Sequence, residues 1–122
     1  MIDLPPAEVR CLEAAIHHEA KGESFAGKLA VGNVVLNRAS SSEFPKSVCA
    51  VVKQRKQFSW YKGNDAVLNP EVSQDTRKAA RKAMASARDN VMFFHATYVA
   101  PKWAKSLRRQ YTLGNHIFYA LN

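Results

Sequence analysis

The chain of 122 residues is short of cysteine, of glycine and of acidic side chains, and each shortage narrows what it can do. Its two cysteines, Cys11 and Cys49, have no C-x-x-C spacing, so neither a zinc ribbon nor a dithiol redox motif can be read from them. Both fall among apolar residues in expected helices. They are read as buried free thiols, with a disulfide as the lesser alternative, and as poorly placed nucleophiles. The five glycines form no Gly-rich phosphate loop, and no G-x-S-x-G elbow is present. No apolar run is long enough to cross a bilayer: the longest, residues 29–36, is interrupted by Gly32 and Asn33. The opening "MIDLPPAEVR" has neither the basic region nor the apolar core of a secretory signal. No repeat of the length that builds solenoids is visible.

What is present is enough for one domain over residues 1–122, with 47% hydrophobic and 10% aromatic residues to build a core. Eighteen Lys and Arg against ten Asp and Glu leave a net charge of +8. That balance suits an anionic partner, whether nucleic acid, a lipid surface or a cell-wall polymer.

Asp3 is placed to cap a first helix whose opening turn tolerates Pro5 and Pro6 and which stops at Gly22. Ser24 caps a second helix over residues 25–38, apolar over most of its surface and therefore expected at the centre. "SSSEFP" breaks the chain, and a short helix over residues 46–53 follows. "KQFSWYKGND" alternates and turns at Gly63-Asn64, which reads as a strand or hairpin. Ser73 opens a basic, Ala-rich helix over residues 74–89. "VMFFHA" and "GNHIFYAL" read as strands, and "PKWAKSLRRQ" between them as a basic loop or short helix. The expected fold class is α+β, four helices with a sheet of two or three strands.

The stretch "AIHHEAKGES" carries the chemistry. The apolar stripe of the first helix runs Val9, Leu12, Ile16, and the next position on it is Glu19. A carboxylate on a buried stripe is costly unless it is paired or lines a cleft. In a cleft, partial desolvation raises its pKa, and Glu23 across Gly22 adds a like charge that acts in the same direction. A carboxylic acid held protonated near neutral pH can protonate a glycosidic oxygen. The alternative is a solvated helix end, with Glu19 paired to Lys21, Lys28 or an Arg. A metal site fits less well. His18-Glu19 is followed by Gly22 where an H-E-x-x-H motif needs its second histidine, and His17 and His18 point about 100° apart. No metal and no cofactor is expected.

Taken in order, the motifs over residues 16–59 form a pattern: E-A-x-G-E, then G-x-x-A-V-x-x-V-x-x-N-R, F-P and Q-F-S. The later "FFHATYVAPKWAKSLRRQYTLGNHIFY" adds an aromatic-His segment, P-x-W-A and a G-x-H-x-F ending. Together these resemble the cell wall hydrolase family typified by the spore-cortex-lytic enzymes, the SleB–CwlJ type, over roughly residues 8–120. The resemblance implies a small helix-rich domain related to the lysozyme superfamily. It implies cleavage of peptidoglycan glycan strands between N-acetylmuramic acid and N-acetylglucosamine, in several members as a lytic transglycosylase. It maps the catalytic acid onto Glu19 and a supporting carboxylate onto Glu23.

Substrate binding calls for flat apolar surfaces and polar groups. Gln57, Phe58, Ser59 and Trp60 stand on one candidate rim; His95, Tyr98 and Trp103 stand on the other. Asn37 and Arg38 divide evenly between a structural role and a cleft role. No second carboxylate stands out, since Glu13, Glu43, Asp65 and Glu71 read as solvated, and this favours the anhydro-forming route. A start at Met1 with no leader and no wall-binding domain suggests a bacteriophage endolysin. Such an enzyme is held in the host cytoplasm until holin lesions open, then acts as a monomer on the wall. Expected contacts are peptidoglycan and anionic envelope surfaces, with no nucleic acid and no stable membrane insertion. The competing readings are a basic nucleic-acid-binding module built on "RKAARKAMASAR" and "KSLRRQ", and a metal-dependent wall amidase.

Overall fold

A computed structural model describes residues 3–122. Helix α1 (Pro6–Ala20) starts without the expected Asp3 cap: Pro5 is at the cap position, no side chain caps the first turn, and Asp3 lies outside the helix. Pro6 takes the first helical position, where a missing N–H costs nothing, so the turn forms without a capping side chain. The helix ends at Lys21-Gly22. Gly22 adopts a φ of 86°, a conformation that favours glycine, and Glu23 N donates to Ala20 O at 2.9 Å.

Ser24 then caps helix α2 (Phe25–Ala39), its Oγ accepting from Gly27 N at 3.2 Å. This is the central helix, packed by α1 and, from later in the chain, by two further helices and the first strand of the sheet. At Gly32 the packing is tight. A Cβ there would lie 3.2 Å from Ile16 Cδ1 and 3.3 Å from Ala83 Cβ, so a larger residue would force α1 and the fourth helix away from α2.

Helix α3 (Val48–Val52) is capped twice. Ser47 Oγ accepts from Ala50 N, and Glu8 of α1 reaches across to accept from Val48 N at 2.7 Å. The same α1–α3 packing brings Cys11 and Cys49 to a Cα separation of 5.2 Å, and they form a disulfide. This corrects the free-thiol expectation. A sequence separation of 38 gives no hint of pairing, whereas two packed helices put the side chains within bridging range.

Residues 53–73 hold no strand, which corrects the hairpin read from "KQFSWYKGND". The backbone there bonds locally: Gln57 N to Gln54 O, Tyr61 N to Phe58 O, then a 3₁₀ turn, Asp65–Leu68, capped by Asn64. The alternation is real, but it drives Phe58 and Trp60 inward onto the helices rather than across a sheet. Helix α4 (Gln74–Ala85) is capped by Ser73 as expected, but it ends four residues before Asp89. Asn37 of α2 explains the early stop. Its Nδ2 donates to Asp89 O and Val91 O at 2.9 Å each, and its Oδ1 accepts from Arg88 Nε, drawing the chain out toward the sheet.

Strand β1 (Val91–Ala96) and strand β3 (His116–Ala120) lie where the sequence places strands, with β2 (Arg108–Leu113) added between them in the chain. The sheet is antiparallel with spatial order β1-β3-β2. The basic segment "PKWAKSLRRQ" splits into a 3₁₀ turn, Lys102–Ser106, and the start of β2. β2 escapes the sequence reading because most of its side chains are polar and exposed. Arg108, Arg109, Gln110 and Thr112 are exposed, and only Tyr111 and Leu113 lean on the core. The core itself joins Leu12, Ile16, Val31, Val35, Leu36, Val51 and Phe118, all essentially without solvent contact.

The disulfide yields the first prediction. Closing a 38-residue separation should stabilise the chain by roughly 4 kcal/mol through the unfolded state. A Cys11→Ser/Cys49→Ser variant, or the parent held reduced, should unfold at markedly lower denaturant. Equal midpoints for oxidised parent, reduced parent and variant would show that the bridge does not form.

Candidate active site

A cleft of about 600 Å³ opens between the C-terminal ends of α1 and α2 on one side and the sheet on the other. Helix periodicity delivers Glu19 to it, one turn after the buried Ile16. Glu19 is the sole carboxylate among the described lining residues. Its Oε2 accepts a hydrogen bond from Trp60 Nε1 at 2.7 Å. Burial pushes the Glu19 carboxyl above the usual carboxylate range; the Trp60 bond and the Arg38 charge pull it back without cancelling the rise.

Arg38, the last basic residue of α2, is only 4% exposed. Its Nε donates to Met92 O at 2.7 Å and its Nη1 to Gln57 Oε1 at 3.3 Å. The guanidinium lies 5.1 Å from the ring centroids of Phe44 and Phe93 and 5.8 Å from that of Phe58. Burial pushes its pKa down to about 10, with Glu19 opposing the fall, so it stays cationic at neutral pH. The even choice left open for this residue resolves into both roles, since Arg38 anchors β1 and lines the cleft. Asn37, by contrast, is wholly engaged in joining α2 to the start of β1.

The facing wall is aromatic. Phe93, Phe94, His95 and His116 come from β1 and β3. Tyr98, 84% exposed, and Trp103, 39% exposed, stand on the rim beyond them. His95 is fully engaged within the sheet. Its Nδ1 lies 2.8 Å from Ala96 O, to which it donates, and its Nε2 pairs with Tyr119 Oη at 2.8 Å. His116 is buried, and burial pushes its imidazole below the ordinary value despite the attraction of Glu23.

The cleft therefore gathers Glu19, Gln57, Phe58, His95, Tyr98 and Trp103 from the residues singled out in the sequence. Three others stand elsewhere. Ser59 is exposed outside the lining, because Phe58 and Trp60 turn inward on either side of it. Trp60 sits behind Glu19, stacked on His18, instead of on the open face. Glu23 does not face Glu19. Its carboxylate accepts from Asn115 N and Asn115 Nδ2 at 3.1 Å each, and these bonds hold it below the usual carboxylate range. The like-charge effect expected of Glu23 on Glu19 is thus replaced by plain desolvation. Gly114, with φ 54°, lets that carboxylate approach the β2–β3 turn, since a Cβ there would collide with Glu23 Oε1.

Arg38 was only half legible in sequence, and Lys56, Phe93, Phe94 and His116 were not singled out as cleft residues. His116 had a signal, the G-x-H-x-F ending; the phenylalanines of β1 look like any core strand. Glu43, Asp65 and Glu71 are exposed as expected and Glu13 is half-buried; none lines the cleft. Among the described residues no three His, Cys, Asp or Glu side chains are grouped to hold a metal ion, and no helix is long and apolar enough to cross a membrane.

The chain is similar to the spore cortex-lytic enzymes of Bacillus cereus, at 25% identity, and Bacillus subtilis, at 27%, in each case over 91% of its own length. It spans 43% and 37% of those two relatives. Its fold matches the catalytic domain of the germination-specific lytic transglycosylase SleB from Bacillus anthracis, with a TM-score of 0.83 at 23% identity, covering 95% of this chain and 96% of that one. The catalytic domain of the Bacillus cereus SleB protein matches with a TM-score of 0.85 at 23% identity, covering 96% and 92%. The family model for Cell Wall Hydrolase covers residues 22–119, most of the chain, beginning three residues after Glu19: this protein belongs to the cell wall hydrolase family.

Proposed function

We propose that the chain cleaves peptidoglycan glycan strands between N-acetylmuramic acid and N-acetylglucosamine, with Glu19 as both general acid and general base. The observation that carries this is the isolation of Glu19: one carboxyl group in the cleft, partly dry and raised in pKa, beside a fixed cation. Glu19 gives its proton to the bridging oxygen as the C1–O bond breaks and positive charge grows on the sugar ring. The carboxylate so formed is stabilised by Arg38. It then takes the proton of the muramoyl 6-hydroxyl, whose oxygen bonds to C1 and closes a 1,6-anhydro ring. Glu19 ends the cycle protonated, as it began. Among the described residues no second carboxylate lines the cleft to activate water or form a covalent intermediate, which favours this route over hydrolysis.

Tyr98 and Trp103 offer exposed ring faces to the sugars. His95 shapes the wall rather than touching substrate, because both its ring nitrogens are used within the sheet. Glu23 supports the site indirectly, by tying the end of α1 to the β2–β3 turn that precedes His116. The reading extends to an endolysin held in the host cytoplasm until holin lesions open. The Cys11–Cys49 bridge would then close only after release, because cytosolic thiols are kept reduced.

Mass spectrometry of digested muropeptides tests the reaction. The expected products carry 1,6-anhydromuramoyl ends. Reducing muramoyl ends would make the enzyme a muramidase, and free stem peptides on intact glycan would make it an amidase.

Glu19→Gln should lower the lysis rate ~10²–10⁴-fold, the usual loss for a general acid. Its effect on stability has a definite sign. A carboxyl whose folded pKa is raised stabilises the fold fully below its unfolded pKa and loses that contribution as pH rises through the folded value. The variant should therefore melt at or above the parent at neutral pH and converge with it in acid. Glu23→Gln should cost less activity. A folded Glu19→Gln enzyme with near-parental lysis would sink the assignment.

A second test concerns charge. Lys102, Lys105, Arg108 and Arg109 are exposed on the segment that carries Trp103 and on the edge strand beside it. If they steer the enzyme to an anionic wall, lysis should fall with added salt. Neutralising all four should weaken wall binding at low salt with little change in melting. Parental binding by that variant would remove the idea.

A further inference from the structure

Trp60 contributes one polar atom to the neighbourhood of the cleft, and it goes to the reacting carboxyl: Nε1–H donates to Glu19 Oε2 at 2.7 Å. Among the described residues Glu19 Oε1 accepts no hydrogen bond. In a protonated carboxyl group the two oxygens differ, one being a carbonyl-type acceptor and the other carrying the proton. A donor fixed at Oε2 makes that oxygen the acceptor, since a proton there would have to share the oxygen with the indole N–H.

We propose that Trp60 is a positioning residue for Glu19: its indole N–H occupies Oε2, so the transferable proton rides on Oε1, the oxygen left free for the glycosidic bond.

The geometry around the indole supports a dedicated device rather than a chance contact. The His18 ring stacks on Trp60 with centroids 4.3 Å apart and planes 25° from parallel. His18 is itself pinned, its Nε2–H donating to Val67 O at 2.8 Å in the 3₁₀ turn. Phe58 closes the other neighbourhood of the ring at 5.7 Å. Helix α1 therefore supplies the acid and, one residue earlier, the plate that orients its partner. An indole needs such a plate, because a ring free to tilt would lose the linear N–H···O geometry on which the bond depends.

The charged and titratable groups facing the site come from every side: Arg38 from α2, His18 from α1, Lys56 from the segment after α3, His95 from β1 and His116 from β3. Arg38 is the one whose charge acts on Glu19, and it favours the ionised form, as the Trp60 bond does. Removing the indole N–H leaves Arg38 in place and takes away one stabiliser of the carboxylate. The Glu19 midpoint must then move up, and with it the pH above which the general acid is spent.

The inference rests on Glu19 being the acid, and its test separates the two. In the parent, the Trp60 indole N–H resonance should titrate together with the ¹³C-labelled Glu19 carboxyl, and the indole titration should vanish in Glu19→Gln. A flat indole resonance in the parent overturns the proposal whether or not any variant folds. Trp60→Phe keeps the stacked ring and deletes the donor. It should lower kcat about tenfold, the worth of one hydrogen bond near 1.4 kcal/mol, with little change in KM. The alkaline limb of its pH–rate profile and its Glu19 ¹³C midpoint should both move up. A rate loss with the limb and the midpoint unmoved would make Trp60 merely structural. A change confined to KM would make it a substrate contact. An active Glu19→Gln enzyme would instead defeat the catalytic reading while leaving the indole–carboxyl coupling measurable.

Discussion

Arg38 carries a full positive charge with 4% of its surface in contact with solvent, and the two halves of the molecule meet around it. A buried guanidinium is tolerated only when its donors are used and a counter-charge is near. Its Nε holds Met92 O of β1, its Nη1 holds Gln57, three phenylalanine rings surround it, and the Glu19 carboxyl favours the cation whenever it gives up its proton. Sheet placement, the path of the 53–60 segment and the electrostatics of the cleft are therefore one problem with one solution. Moving β1 away from α2 would strand the cation, and stranding the cation would change the field at Glu19.

The two glutamates of E-A-x-G-E show how one helix end serves two purposes. They are four residues apart, yet their carboxyl groups are driven in opposite directions. Glu19 remains on the helix, half-buried, and desolvation raises it. Glu23 lies past Gly22, where the chain has turned, and two donors from Asn115 lower it. Environments that push two titratable groups apart separate a proton donor from a fixed charge. Here the fixed charge clamps a turn, and the donor faces the cleft.

Much of this was legible in the chain. Serine caps at Ser24 and Ser73 start α2 and α4, because a side-chain acceptor at a helix start is a local event that needs no distant partner. The stripe from Leu12 through Ile16 to Glu19 is equally local, since helix geometry alone decides which residues share a face. Elements that depend on their surroundings were misread. "KQFSWYKGND" has the alternation of a strand, but a strand needs a neighbour to bond, and this segment finds helices instead. "RRQYTL" has the charge of a loop, but β3 lies alongside to pair with it.

By itself the sequence determined the helices, the strands β1 and β3, the basic surface and the presence of a carboxyl group where an apolar residue belongs. These are properties of composition and short-range spacing. Tertiary structure alone decided that Cys11 meets Cys49, that Arg38 neighbours Glu19, that Glu23 turns to Asn115, and that Trp60 points its N–H at Glu19 while Ser59 points away. Each of these joins residues 19 to 92 positions apart. Such a pairing depends on where whole elements come to rest against one another, and no local pattern along the chain encodes that.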